Sequence, residues 1–302
     1  MFEDADLMTA IITPFDQNDQ IDYDTLAQLT ERYLQEGHRG FIIGGTTGET
    51  PTLSHNEKLE LYSRFAKLVA GRVPIVAGTG SNNTAETVTL TQEVSEIQGI
   101  NAALVVVPYY NKPDQRRMIA HFSTVADQGG MPVIMYNIPG RTGVTMANET
   151  ILTLAQNPNI IGVKQCTNMP DLEYLVQNAP TEFLVYSGED EQALFAKIIG
   201  AKGIISVASH VYGPKMRQMY DVLYQGDYQQ AGRLQSELTP KMAALFMYSS
   251  PAPVKAILTA QGYQVGAPRL PILPLDDEEK TILATKLGLA PDALQHTLKE
   301  LN

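Results

Sequence analysis

Through the first two thirds of the chain, apolar residues gather into short unbroken runs. They lie at 7–12, 40–45, 73–78, 102–108, 132–137, 160–165, 183–188 and 203–208, with Leu104-Val105-Val106-Val107 the clearest. A strand buried on one face alternates apolar and polar residues, whereas an unbroken run is buried on both faces, as in parallel sheets. Between the runs the apolar period lengthens to that of a helix. Segment 54–70 carries Leu59, Tyr62, Phe65 and Leu68 at helical spacing, and segment 23–37 starts behind Asp22 and stops at Gly37. Segments 84–97, 115–126, 148–156, 190–199 and 212–224 follow the same pattern. Such alternation predicts βα units around a parallel sheet. Eight units in about 225 residues match a (β/α)8 TIM barrel. A doubly wound open sheet is the alternative. The count of eight weighs against it, as does the missing dinucleotide fingerprint, because Asn83 stands where the third glycine after Gly78-Thr79-Gly80 belongs.

Beyond position 226 the strand-like runs stop. Segments 228–248, 253–261, 277–287 and 292–301 read as helices, with the proline-rich stretch 268–274 as a connector. Pro291 suits a helix start. Asp276-Asp277-Glu278-Glu279 suits the positive end of a helix dipole. The expected division is a catalytic barrel over 1–226 and a helical C-terminal domain over 227–302.

Composition narrows the function classes. The 302 residues are 44% hydrophobic and 18% charged, which fits a globular protein. No apolar run approaches the ~20 residues of a membrane helix. The acidic start, Met1-Phe2-Glu3-Asp4, is no export signal. The single cysteine, Cys166, excludes an internal disulfide framework and points to a reducing cytoplasm. A net charge of −11 opposes binding to nucleic acid or anionic membranes, so an anionic substrate needs positive charge inside its own site.

In a barrel of this kind, chemistry belongs at the C-terminal strand ends. Those ends carry Gly44-Gly45-Thr46-Thr47-Gly48-Glu49, Pro108-Tyr109-Tyr110-Asn111, Tyr136-Asn137-Ile138-Pro139-Gly140-Arg141, Lys164, Ser187-Gly188-Glu189-Asp190 and Ser206. The five histidines are scattered, without metal-ligand spacing, and the carboxylates Glu49, Glu189 and Asp190 are too few for a two-metal site. Lys164 closes the apolar run Ile160-Ile161-Gly162-Val163. Two readings of it stand: a stem packed on the rim with its head in water, or a desolvated amine fit for imine chemistry with a carbonyl substrate. In the second reading Tyr136 shuttles protons, with Thr47 and Tyr110 extending a hydroxyl relay. Backbone amides of Gly45-Thr46-Thr47-Gly48 hold one carboxylate and Arg141 clamps another. Each part alone has a structural reading: a tight turn, rim packing, a surface ion pair. Cys166, two residues from Lys164, reads as packing.

These same motifs, with Gly162-Val163-Lys164 and Pro251-Ala252-Pro253-Val254-Lys255, resemble the dihydrodipicolinate synthase family of pyruvate-dependent class I aldolases and lyases over essentially the whole chain. The resemblance implies condensation of pyruvate with aspartate 4-semialdehyde in lysine and diaminopimelate biosynthesis. It implies no cofactor beyond a covalent imine. Lys164 matches the Schiff-base lysine, Tyr136 the acid/base tyrosine and Thr47 the relay threonine, with Thr46 beside it at the pyruvate carboxylate. Tyr110 matches a relay tyrosine that reaches the neighbouring subunit's site, within a homotetramer built from two tight dimers. Arg141 matches the residue that binds the semialdehyde carboxylate, and Gly188 and Ile205 match positions lining the pyruvate pocket. Sister aldolases acting on sialic acid or 2-keto-3-deoxy sugar acids generally lack that arginine. A non-catalytic binding homologue is the remaining alternative. Asn82, Glu86 and Tyr109 agree with the lysine effector site of inhibited members, but Thr50, Pro51 and Lys58 depart from it. An ammonium at Lys58 facing a cationic effector implies weak or absent lysine inhibition.

Overall fold

The computed structural model describes residues 2–297. Eight parallel strands close into a barrel in sequential order: β1 (Leu7–Ala10), β2 (Gly40–Ile43), β3 (Ile75–Gly78), β4 (Ala102–Val106), β5 (Val133–Asn137), β6 (Ile160–Gln165), β7 (Leu184–Ser187) and β8 (Gly203–Ser206). β8 returns to pair with β1, so the (β/α)8 barrel is the fold and the open sheet is excluded. Met8, Ile42, Val76, Leu104, Ile134, Tyr186 and Ile205 fill the interior. The intervening residues of the strands face the helices.

Around the barrel run α1 (Tyr23–Gln35), α2 (His55–Val69), α3 (Thr84–Ser95), α4 (Gln115–Gln128), α5 (Pro139–Thr142), α6 (Asn148–Leu154), α7 (Met169–Asn178), α8 (Ala193–Ile198) and α9 (Ser209–Tyr224). Asp22, Ser54, Asn83 and Asp114 accept first-turn amide protons of α1 to α4. Such caps stabilise a helix by about 1 kcal/mol each. α7 lies outside the expected set. It buries only Leu172 and Leu175, and so thin a stripe leaves little helical period to read. Segment 190–199 opens with a 3-10 turn, Asp190–Gln192, before α8 begins. The reason is tertiary: the Asp190 carboxylate accepts from Ser206 Oγ at 2.5 Å and from the amides of Val207 and Ala208, pinning β7 to β8.

The tail forms α10 (Tyr228–Ala244), α11 (Ala252–Ala260) and α12 (Asp277–Lys286), the last opened by a capping box of Asp276 and Glu279. α10 stops short of its expected end at 248, and the turns that follow release Phe246 from helical geometry. The expected helix 292–301 shows a 3-10 turn at Ala293–Gln295, and its positions from 298 lie outside the described residues. Leu238, Ile257 and Leu283 of the tail share one apolar cluster with Leu29, Phe41 and Phe65 of the barrel layer. A buried ion pair joins the same regions: Lys255 Nζ lies 2.7 Å from Glu49 Oε1, and Glu49 Oε2 accepts the Arg269 amide at 2.7 Å. Among the described residues no helix is long and apolar enough to cross a membrane.

Candidate active site

Lys164 on β6 sits in register with Tyr136 on β5 and Tyr186 on β7. All three side chains enter the barrel, and the Lys164 ammonium lies 4.5 Å from the centre of the Tyr136 ring. Lys164 and Tyr136 are each only 5% exposed. Burial drives the Lys164 ammonium below its ordinary lysine value; the carboxyl groups of Asp190 and Glu189 oppose the shift, and Arg141 adds to it. Burial pushes the Tyr136 phenol well above its ordinary value, while Arg141 and the Thr46 hydroxyl work in the opposite direction. The Cys166 thiol is pushed up to about 12, first by burial, so it stays neutral at physiological pH.

A cavity of about 370 Å3 opens above Lys164. Thr46, Thr47, Tyr136, Arg141, Lys164 and Gly188 all line it. In the sequence these six stand at the ends of four strands, β2, β5, β6 and β7, and the closed barrel brings them together. Ile205 lies deeper, packed in the barrel interior. Tyr110 does not line this cavity. It is 87% exposed and holds a positive φ of 72°. Of the three strand-end carboxylates, Glu189 lines the cavity, Asp190 is committed to β8 and Glu49 to Lys255. Ile138, Val207 and Phe246 complete the walls. Phe246 comes from the tail, and no local signal in the sequence marks it.

Two glycines are required by contact. A Cβ on Gly188 would stand 2.3 Å from Cys166 Sγ and 2.6 Å from Lys164 Cε, so a bare backbone here gives the lysine its room. Gly44 has φ +65°, and a Cβ on it would strike the Tyr62 hydroxyl, which donates to the Gly78 carbonyl at 2.6 Å. That packing sets the turn through Thr46 and Thr47. The turn's internal bonds run from the Glu49 amide to the Thr46 carbonyl at 3.0 Å and from the Thr50 amide to the Gly45 carbonyl at 3.4 Å, and the amides of Thr46 and Thr47 donate to no protein acceptor among the described residues.

A second cavity, about 300 Å3, shares Thr46, Tyr136, Ile138 and Arg141 with the first and extends to Thr50, Pro51, Lys58 and Tyr109. Lys58 is half-buried there; burial lowers its ammonium and Glu86 opposes the shift. Asn82 donates to the Tyr109 carbonyl at 3.2 Å.

Residues 3–289 match the sequence model of the Dihydrodipicolinate synthetase family. The 4-hydroxy-tetrahydrodipicolinate synthase of Limosilactobacillus reuteri is 60% identical over 294 residues, 97% of this chain and 96% of that protein. The same-named protein of Pediococcus pentosaceus is 61% identical over 289 residues, 96% of this chain and 97% of that one. Among solved structures, dihydrodipicolinate synthase from Bacillus anthracis superposes with a TM-score of 0.92 at 40% identity, covering 95% of this chain and 98% of that one. The Acinetobacter baumannii synthase complexed with pyruvate superposes at 0.89 with 36% identity, covering 96% of this chain and 99% of that one. The chain belongs to the Dihydrodipicolinate synthetase family.

Proposed function

We propose that this protein is a 4-hydroxy-tetrahydrodipicolinate synthase, joining pyruvate to L-aspartate 4-semialdehyde through an imine on Lys164. The observation that carries the reading is a buried lysine with a lowered ammonium pKa at the floor of a cavity. Its neutral amine adds to the C2 carbonyl of pyruvate, and the carbinolamine loses water to give an iminium ion. The iminium draws electrons from the methyl carbon, which sheds a proton and becomes an enamine. The enamine carbon attacks the aldehyde, whose oxygen takes up a proton. The semialdehyde's amino group then adds to the iminium carbon, closing the ring and returning the free amine of Lys164.

Tyr136, beside Lys164, exchanges the protons of the carbinolamine and the new alcohol, and its high pKa keeps it a proton donor between steps. Thr47 passes protons to Tyr136. The free amides of Thr46 and Thr47 suit the pyruvate carboxylate, Gly188 borders the space for the rest of the molecule, and Ile205 packs beneath it in the barrel interior. Arg141 at the rim pairs with the semialdehyde carboxylate. Tyr110 is the relay group of a neighbouring subunit's site. Its exposure and its absence from the lining of its own chain's cavity support action across a tight dimer, two of which make the homotetramer of this reading. We read 1–226 as the catalytic barrel and 227–302 as a helical domain that carries one wall residue, Phe246, to it. The single cysteine and acidic charge suit a cytoplasmic enzyme with small-molecule partners and no nucleic-acid or membrane partner.

Borohydride reduction in the presence of pyruvate, followed by peptide mass spectrometry, tests the reading. The expected result is one pyruvate adduct, on Lys164. A protein that traps no pyruvate is not a Schiff-base enzyme of this kind.

A further inference from the structure

On β5 and β6 the inward residues are Tyr136 and Lys164, so their successors Asn137 and Gln165 face the helix layer. Both are buried, at 0% and 1% exposure. Asn137 Nδ2 donates to the Met146 carbonyl at 3.0 Å, and Asn137 Oδ1 accepts the Met146 amide proton at 3.1 Å. One side chain thereby closes the neck of the loop that leaves the barrel at Asn137, carries Arg141 and returns at Met146. The same Nδ2 donates to Gln165 Oε1 at 3.0 Å, and Gln165 Nε2 donates to Thr167 Oγ1 at 2.9 Å. The line continues. The Thr167 carbonyl accepts from Gln192 Nε2 at 2.8 Å, and Gln192 Oε1 accepts from Ser187, the residue before Gly188, at 2.9 Å.

Arg141 needs such support. It is exposed, and among the described residues its guanidinium makes no hydrogen bond or ion pair. Its place is set by its loop. Lys164 and Tyr136, in contrast, are held by strand ladders. We propose that Asn137 and Gln165 are positioning residues for the second substrate: they hold the Arg141 loop in register with the imine lysine and so set the preference for an aldehyde bearing a carboxylate. Neither touches a substrate. The inference rests on the reading of Lys164 and Arg141 given above.

The test is steady-state kinetics of Asn137→Ala and Gln165→Ala beside pyruvate trapping. The expected result is a KM for the semialdehyde raised about tenfold, the scale of one weakened charged contact. The KM for pyruvate and the trapping rate stay within about twofold, since the ladder holding Lys164 is untouched. In an Arg141→Ala background the same substitutions should leave the semialdehyde KM unchanged, because the residue they place is gone. Parallel losses for both substrates, or full additivity with Arg141→Ala, would overturn the proposal. Should Asn137→Ala fail to fold, Gln165→Ala and Asn137→Asp, which keeps the acceptor for the Met146 amide, decide by the same split. A wild-type protein that traps no pyruvate overturns the functional reading and this inference with it. A wild-type protein that traps pyruvate while the variants show no split overturns the inference alone.

Discussion

Lys164 and Lys255 are both almost fully buried, at 5% and 2% exposure, and burial pushes both ammonium groups below the ordinary lysine value. Their surroundings differ. Lys255 sits 2.7 Å from Glu49, donates to the Ala267 carbonyl at 3.2 Å and lies over the Phe15 ring. Its charge is matched, and it ties the tail to the turn that carries Thr46 and Thr47. Lys164 has no carboxylate within 4.0 Å among the described residues and faces a phenol ring and a thiol instead. Burial destabilises the charge in both places, but only a partner restores it. Imine chemistry needs the first effect without the second. Cavity size does not separate the two regions: the larger space, about 790 Å3, lies beside Lys255.

The largest expected effect comes from exchanging the fates of the two lysines. Lys164→Ala should abolish pyruvate trapping and lower turnover by on the order of a thousandfold or more, because no other amine can form the imine. Lys255→Met should do the reverse. It leaves Glu49 buried and unpaired at a cost of about 3–5 kcal/mol in urea unfolding. The molecules that remain folded should trap pyruvate at the wild-type rate. Lost trapping in folded Lys255→Met would erase the distinction.

Next in size is Gly188→Ala, whose Cβ would stand 2.6 Å from Lys164 Cε. A displacement of about 1 Å at a reacting group costs on the order of a hundredfold. Turnover should fall by about that factor, with the seam at Lys255 unchanged and the unfolding midpoint lowered by the crowding at Cys166 Sγ. Near-wild-type turnover would mean that Lys164 has room to spare.

A smaller effect is carried by pH. The ammonium of Lys164 is destabilised on folding, so the native chain releases the proton at a pH where the unfolded chain keeps it. Its contribution to stability is therefore unfavourable at low pH and recovers as pH rises from the lowered native value toward 10.5. Pyruvate trapping should rise as pH passes through the lowered native value and level off below 10.5. Arg141→Ala removes a positive charge that pushes the value down, so its trapping profile should move to higher pH. A profile unmoved by that change would separate Arg141 from the imine electrostatically. The smallest effect is expected from added lysine. Lys58 in the second cavity presents an ammonium to a cationic ligand, and a coupled assay should show no inhibition at submillimolar lysine.

Much of the barrel is legible in the sequence because its signals are local. Unbroken apolar runs mark strands covered on both faces, and Asp22 marks a helix start that the chain then uses. α7 escapes because two buried leucines make no period. The site is legible in part. Thr46, Thr47, Tyr136, Arg141, Lys164 and Gly188 are named by their places at strand ends, and the resemblance rests on the same motifs. Glu49, at the end of one such motif, belongs to the seam with Lys255, and its partner lies some 200 residues away, where no local pattern reaches. Phe246 is hidden for the same reason.

The order of the elements and the polar residues at strand ends are legible in the chain alone, because an unbroken apolar run and the 3.6-residue period of a helix are local signals. Which strand residues face inward is set by the closed barrel. Only the tertiary structure decided which of two buried lysines keeps its charge matched. That depends on what the closed barrel and the folded-back tail bring within a few ångströms: a carboxylate for Lys255, and for Lys164 a phenol, a thiol and an open cavity.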